Sequence, residues 1–145
     1  MIVAIDPGVS GGIAYEDGGT VHALPMPATL GDLADLIRIL AADGPTFWLE
    51  ELPKFAGKMS ASSMGVMFRN FGRVEALIAS ARCRIEYITP QRWQKALNLG
   101  DKATHGNRWK AHLKGRAQVL FPQLDVTLKT ADALLILEAA RRLKF

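Results

Sequence analysis

The sequence predicts an α/β fold in which a central mixed five-stranded sheet, its first three strands antiparallel, is flanked by helices. Three observations carry this. Residues 1–25 hold three short apolar runs separated by glycine-containing turns. Residues 28–143 alternate helix-period segments with two further apolar runs, at 46–50 and 85–89. The chain has 145 residues, 49% hydrophobic and 22% charged, with no Pro/Ser-rich or low-complexity tract to divide it. Residues 1–145 are therefore expected to form a single compact domain.

Residues 2–6 read as a strand, ended by Pro7-Gly8. Residues 12–16 form a second strand, Glu16-Asp17-Gly18-Gly19 turns the chain, and residues 20–25 form a third, which gives a meander. Over residues 28–42, Leu30, Leu33, Leu36, Ile37 and Leu40 recur at helical spacing until Gly44-Pro45 stops the helix. A buried fourth strand at 46–50 follows, so the helix is a crossover. After a loop at 51–60, residues 60–81 predict a long helix with Met64, Met67, Phe68, Phe71, Val74, Leu77 and Ile78 on one broad face. A fifth strand spans 85–89, and Pro90 opens a short helix to about Leu97. Helices at 108–120 and 130–143 complete the chain.

Three carboxylates stand out in this frame. Asp6 ends the run Met1-Ile2-Val3-Ala4-Ile5, Glu50 ends Thr46-Phe47-Trp48-Leu49, and Asp132 lies in Thr130-Ala131-Asp132-Ala133-Leu134. A buried strand that stops at a carboxylate delivers the charge to a sheet edge, where solvent or a cation stabilises it. Convergence of the three would make a hard-oxygen site suited to Mg²⁺, with Mn²⁺ as a substitute. Glu51 competes with Glu50, because neighbours on a strand point to opposite faces. Glu50 directly follows the apolar run and is preferred.

The net charge is +4, and residues 92–116 carry seven basic side chains against Asp101 alone. Interleaved with Trp93, His105, Trp109 and His112, this segment suggests a phosphate-binding surface, with Lys102, Arg108, Lys110 and Lys114 as DNA contacts. A solvated helix face is the competing explanation. In the loop after Glu50, Lys54 and Lys58 are placed to hold phosphates and Phe55 to stack on an opened base, while Met59 suits packing onto the long helix.

There is no secretion signal and no membrane-spanning run, and the single Cys83 excludes an internal disulfide. A cytoplasmic or organellar interior is expected. His105 and His112 have no cysteine pair to complete a zinc site, and no phosphate-binding P-loop motif occurs.

Three hairpin strands, a helix, a fourth strand, a long helix and a fifth strand follow the order of a ribonuclease-H-like fold. Ile5-Asp6-Pro7-Gly8, Leu49-Glu50-Glu51 and Ala131-Asp132-Ala133-Leu134 resemble, in that order, the RuvC family of Holliday-junction resolvases, including its smaller phage, plasmid and organellar relatives. The resemblance implies a metal-dependent, structure-selective endodeoxyribonuclease that resolves four-way junctions by paired nicks through a two-metal mechanism. Asp6 would bridge two ions, with Glu50 binding one and Asp132 the other. It also implies a homodimer, for which the excess apolar surface of the 60–81 helix is the candidate interface. Three residues before Asp132, where such relatives usually carry Asp or His, this chain has Lys129. Lys129 is then expected either to contact the scissile phosphate as a catalytic charge or to mark a weakly held second ion; Asp125, in the preceding loop, is the less favoured choice of substitute ligand. The alternative is a noncatalytic branched-DNA-binding protein derived from a resolvase.

Overall fold

The computed structural model describes residues 1–53 and 57–144. Its elements are β1 (Ile2–Asp6), β2 (Gly12–Asp17), β3 (Thr20–Pro25), α1 (Leu30–Ala41), β4 (Thr46–Glu50), α2 (Ala61–Ser80), β5 (Arg84–Ile88), α3 (Pro90–Ala96), α4 (Lys102–His105), a 3-10 turn (Gly106–Arg108), α5 (Trp109–Leu120) and α6 (Ala131–Leu143). The strands form the expected mixed sheet, in the order β3-β2-β1-β4-β5. The β1–β2 and β2–β3 pairs are antiparallel, whereas β1–β4 and β4–β5 are parallel. The first helix begins later than its periodicity suggests because Thr29 caps it, its hydroxyl accepting from the Asp32 N–H at 3.1 Å. α4 was not anticipated. It has a single turn and no apolar period, and is set by Asp101, whose carboxylate accepts from the Thr104 N–H at 2.8 Å and its hydroxyl at 2.9 Å.

Strand alternation builds two cores. Val3, Ile5, Phe47 and Leu49 face α1 and α2, where Leu33, Ile37, Val74 and Ile78 are buried. Ala4, Ala14 and Trp48 face the other way, toward α3, α5 and α6. α6 packs on β1 and β2 with one side and on α5 with the other. This double coverage explains why Ala133 through Leu137 are all fully buried.

Trp93 and Trp109 correct the surface expectation: at 1% and 6% exposure they are core residues. Their neighbours in the basic segment, Lys102, Arg108, Lys110 and Lys114, remain exposed. His105 and His112 stack on each other with ring centroids 4.0 Å apart, and the His112 Nε2 lies 2.7 Å from the Leu99 carbonyl oxygen. On α2 only Val74 and Ile78 are buried, while Val66 and Phe68 are 47% and 51% exposed.

Gly12 sits where the segment leading into α6 crosses β2. A Cβ there would lie 2.5 Å from the Lys129 carbonyl oxygen and 2.8 Å from that of Leu24, both backbone atoms. Gly12→Ala is therefore expected to lose about 1–3 kcal/mol in urea unfolding. Gly31→Ala, where a Cβ meets nothing within 4 Å, should leave stability unchanged or slightly raised.

Candidate metal centre

The parallel register pairs Ala4 with Trp48 and Ile5 with Leu49. Ala4 and Trp48 face the α6 layer, so Asp6 and Glu50, two residues further along each strand, face it too. The two carboxylates thus emerge side by side at the carboxyl ends of adjacent parallel strands, where open α/β sheets place their ligands. Asp132 joins them from the first turn of α6. A tight turn precedes that helix, in which the Thr127 N–H donates to the buried Thr130 hydroxyl at 3.1 Å.

The turn after β1 closes around Asp6. The Gly8 N–H donates to Asp6 Oδ1 at 3.3 Å, and the Gly11 N–H donates to the Gly8 carbonyl at 2.9 Å. A Cβ on Gly11 would collide with the Asp6 carbonyl oxygen and lie 2.8 Å from its Cγ and 2.9 Å from its Oδ1. Gly11 is required for space rather than for an unusual backbone angle.

Each of the three acids reaches the surface, yet its carboxyl group is largely enclosed by protein. Burial raises the pKa of Asp6, opposed by the Gly8 N–H and the Lys110 charge. Glu50 is pushed up to about 8, first by burial and then by Asp6, with Asp132 adding to the rise and the Trp93 indole and Lys110 opposing it. Asp132 is pushed up to about 6 by burial and by Asp6, against Lys110. Partly desolvated carboxylates that raise one another's pKa are characteristic of functional sites.

This donor chemistry fits a hard divalent cation: three oxygen donors, from three separate elements, whose shared negative charge is stabilised when a cation replaces the retained protons. Among the described residues, no group of three His, Cys, Asp or Glu is drawn together closely enough to enclose an ion.

Glu51 lies on the opposite face, in a groove of about 750 Å³ with Phe68, Phe71, Glu75 and Tyr87. There the Tyr87 hydroxyl donates to Glu75 Oε2 at 2.6 Å, and this bond, with burial and the charges of Glu75 and Glu51, pushes the tyrosine up to about 12. Glu50 is thus the member of the pair that joins Asp6 and Asp132. Lys110, on α5, acts electrostatically on all three carboxylates. Lys114 follows one helical turn later, and Lys102 and Arg108 lie on the same exposed segment. Lys129 is exposed and lines a separate depression of about 300 Å³ with Pro7, Val9, Leu30, Asn70 and Arg73. Asp125 is exposed in the loop ahead of α6, and Lys58 in the loop ahead of α2. Lys54 and Phe55 lie outside the described residues. Sequence reasoning missed Trp93, whose indole N–H donates to Glu50 Oε2 at 2.6 Å. The signal available was that a buried indole needs an acceptor.

The strand order and the helices on both faces give a ribonuclease-H-like fold. Among solved structures, the chain is similar to RuvC from Thermus thermophilus, with 17% sequence identity and a TM-score of 0.55 over 99% of this chain and 96% of that one. It is also similar to T. thermophilus RuvC in complex with Holliday junction substrate, with 13% identity and a TM-score of 0.62 over 99% of this chain and 94% of that one. The protein has the RuvC fold. No protein-family model matches the chain, and no curated protein matches it.

Proposed function

We propose that this protein is a metal-dependent, structure-selective endodeoxyribonuclease that resolves four-way DNA junctions by paired phosphodiester nicks. The supporting observation is the convergence of Asp6, Glu50 and Asp132 at the carboxyl ends of β1 and β4 and the start of α6, on a RuvC fold. Mg²⁺ or Mn²⁺, as two ions, supplies Lewis-acid activation of water and charge stabilisation at the leaving 3′-oxygen. The chain's part is to bring three deprotonated carboxylates together and to balance them with a lysine that also meets the substrate.

Lys110 fills that second role. It lies beside the trio, and its point charge stabilises negative charge developing on the scissile phosphate. Lys102, Arg108 and Lys114 continue the positive track, and Lys129 with Arg73 and Asn70 receives the strand on the other flank. Lys54, Phe55 and Lys58 follow Glu50 in sequence and are assigned to contacts with the opened junction on that ground alone. The groove on the opposite face carries Glu51 and Glu75, whose charge suits protein rather than phosphate. With the exposed Val66 and Phe68 it forms the face through which α2 pairs two copies, setting two metal centres for nicks on two strands.

The test compares binding of a four-way junction and a linear duplex of the same sequences, in EDTA, by mobility shift. Preference for the junction, with affinity falling steeply as salt rises, is expected; equal affinity for both shapes contradicts structure selectivity. Lys110→Gln should lower single-turnover cleavage about 10²-fold and reduce the salt slope of binding by about 1. Junction binding without cleavage in either metal would instead identify a noncatalytic branched-DNA-binding protein. Lys129, in place of a fourth acidic position, favours that second reading.

A further inference from the structure

We infer that Trp93 is a positioning residue for Glu50: its buried indole N–H anchors one carboxylate oxygen and so orients the group beside Asp6 and Asp132, where it would meet a divalent cation. This rests on the metal-centre reading of the site. The local structure brings the two residues together from 43 positions apart. β5 runs parallel to β4, with Ile88 opposite Glu50, so the chain leaves the sheet beside that carboxylate. Thr89 caps the next helix, its hydroxyl accepting from the Arg92 N–H at 3.3 Å, and Pro90 occupies the first turn. One turn on, the Trp93 N–H donates to the Thr89 carbonyl at 3.3 Å, which fixes the residue's backbone beneath the strand end.

The ring has no freedom to follow a moving carboxylate. Trp93 is 1% exposed and packs in the same core as Trp48, Leu134 and Leu137, with α3 lying against α6. Its Nε1 is a donor only, and it reaches Glu50 Oε2 at 2.6 Å, a short hydrogen bond. Glu50 would otherwise be free to swing away from Asp6 and Asp132, which repel it. The indole bond opposes that by tying Oε2 to a ring locked in the core.

The indole N–H signals of the ¹⁵N-labelled, metal-free protein test the contact directly, since Trp48, Trp93 and Trp109 are the only tryptophans. One signal should lie downfield of the others, vanish in Trp93→Phe and move upfield in Glu50→Gln. Titration with Mn²⁺, followed by the electron paramagnetic resonance of the free ion, should show affinity about 10-fold or more weaker in Trp93→Phe than in wild type. An indole signal indifferent to Glu50→Gln overturns the contact even if Trp93→Phe fails to fold. Wild-type Mn²⁺ binding that a folded Trp93→Phe retains in full overturns the positioning role alone. Absence of Mn²⁺ binding in the wild type overturns the metal-centre reading itself, and the role of Trp93 with it.

Discussion

Asp6→Asn is expected to abolish the proposed metal-dependent cleavage, with a loss of about 10³-fold or more, or about 4 kcal/mol of transition-state stabilisation. The size follows from position: Asp6 is the acid whose charge bears on both Glu50 and Asp132. The same substitution should leave the metal-free protein folded and more stable at pH 8, since it removes repulsion from a buried cluster without removing volume. Single-turnover cleavage and urea unfolding measure the two effects. Loss of activity accompanied by loss of stability would mean that Asp6 serves the fold rather than the chemistry.

Metal-free stability is expected to fall as pH rises, and divalent cations are expected to restore it. Glu50 is pushed up to about 8 from its ordinary 4.5, and Asp132 to about 6 from 3.8. A carboxyl whose pKa is higher in the folded chain favours folding while it holds its proton. That contribution is complete below the ordinary values and is lost as pH rises through the folded ones, up to about 6 for Asp132 and about 8 for Glu50. The melting temperature in EDTA should therefore drop from pH 5 to pH 8, with Glu50 contributing more of the loss than Asp132. Mg²⁺ or Ca²⁺ competes with those protons, so its stabilisation should be larger at pH 8 than at pH 6 and should vanish in Asp6→Asn. A flat profile in EDTA would show that the three carboxylates do not share a desolvated site.

Much of this arrangement is readable from particular residues. The unbroken apolar runs Val3-Ala4-Ile5 and Phe47-Trp48-Leu49 mark strands covered on both faces, and stopping each run at an acid puts Asp6 and Glu50 at one end of the sheet. The choice of Glu50 over Glu51 was already present in parity with Trp48, once that residue is assigned to the α6 layer. Trp93 and Trp109 were misread because charge spacing was given more weight than apolar spacing. Trp93 with Leu97, and Trp109 with Leu113 and Ala117, recur one helical turn apart and point inward. Other features have no local signature. The bond from Trp93 to Glu50 joins different elements, and the space requirement at Gly11 and Gly12 exists only once Asp6 and the α6 segment are in place. The same holds for the lysines: in sequence Lys129 lies nearest to Asp132, but the folded chain brings the charge of Lys110 to bear on the trio.

The most direct measurement incubates end-labelled four-way junctions and matched linear duplex with the purified protein in Mg²⁺, Mn²⁺ or EDTA, alongside Asp6→Asn and Asp132→Asn. Symmetric nicks confined to the junction, dependent on the metal and absent in both variants, are the predicted result. A wild-type protein that leaves the junction intact in both metals, or that cuts the linear duplex equally well, contradicts the proposed function.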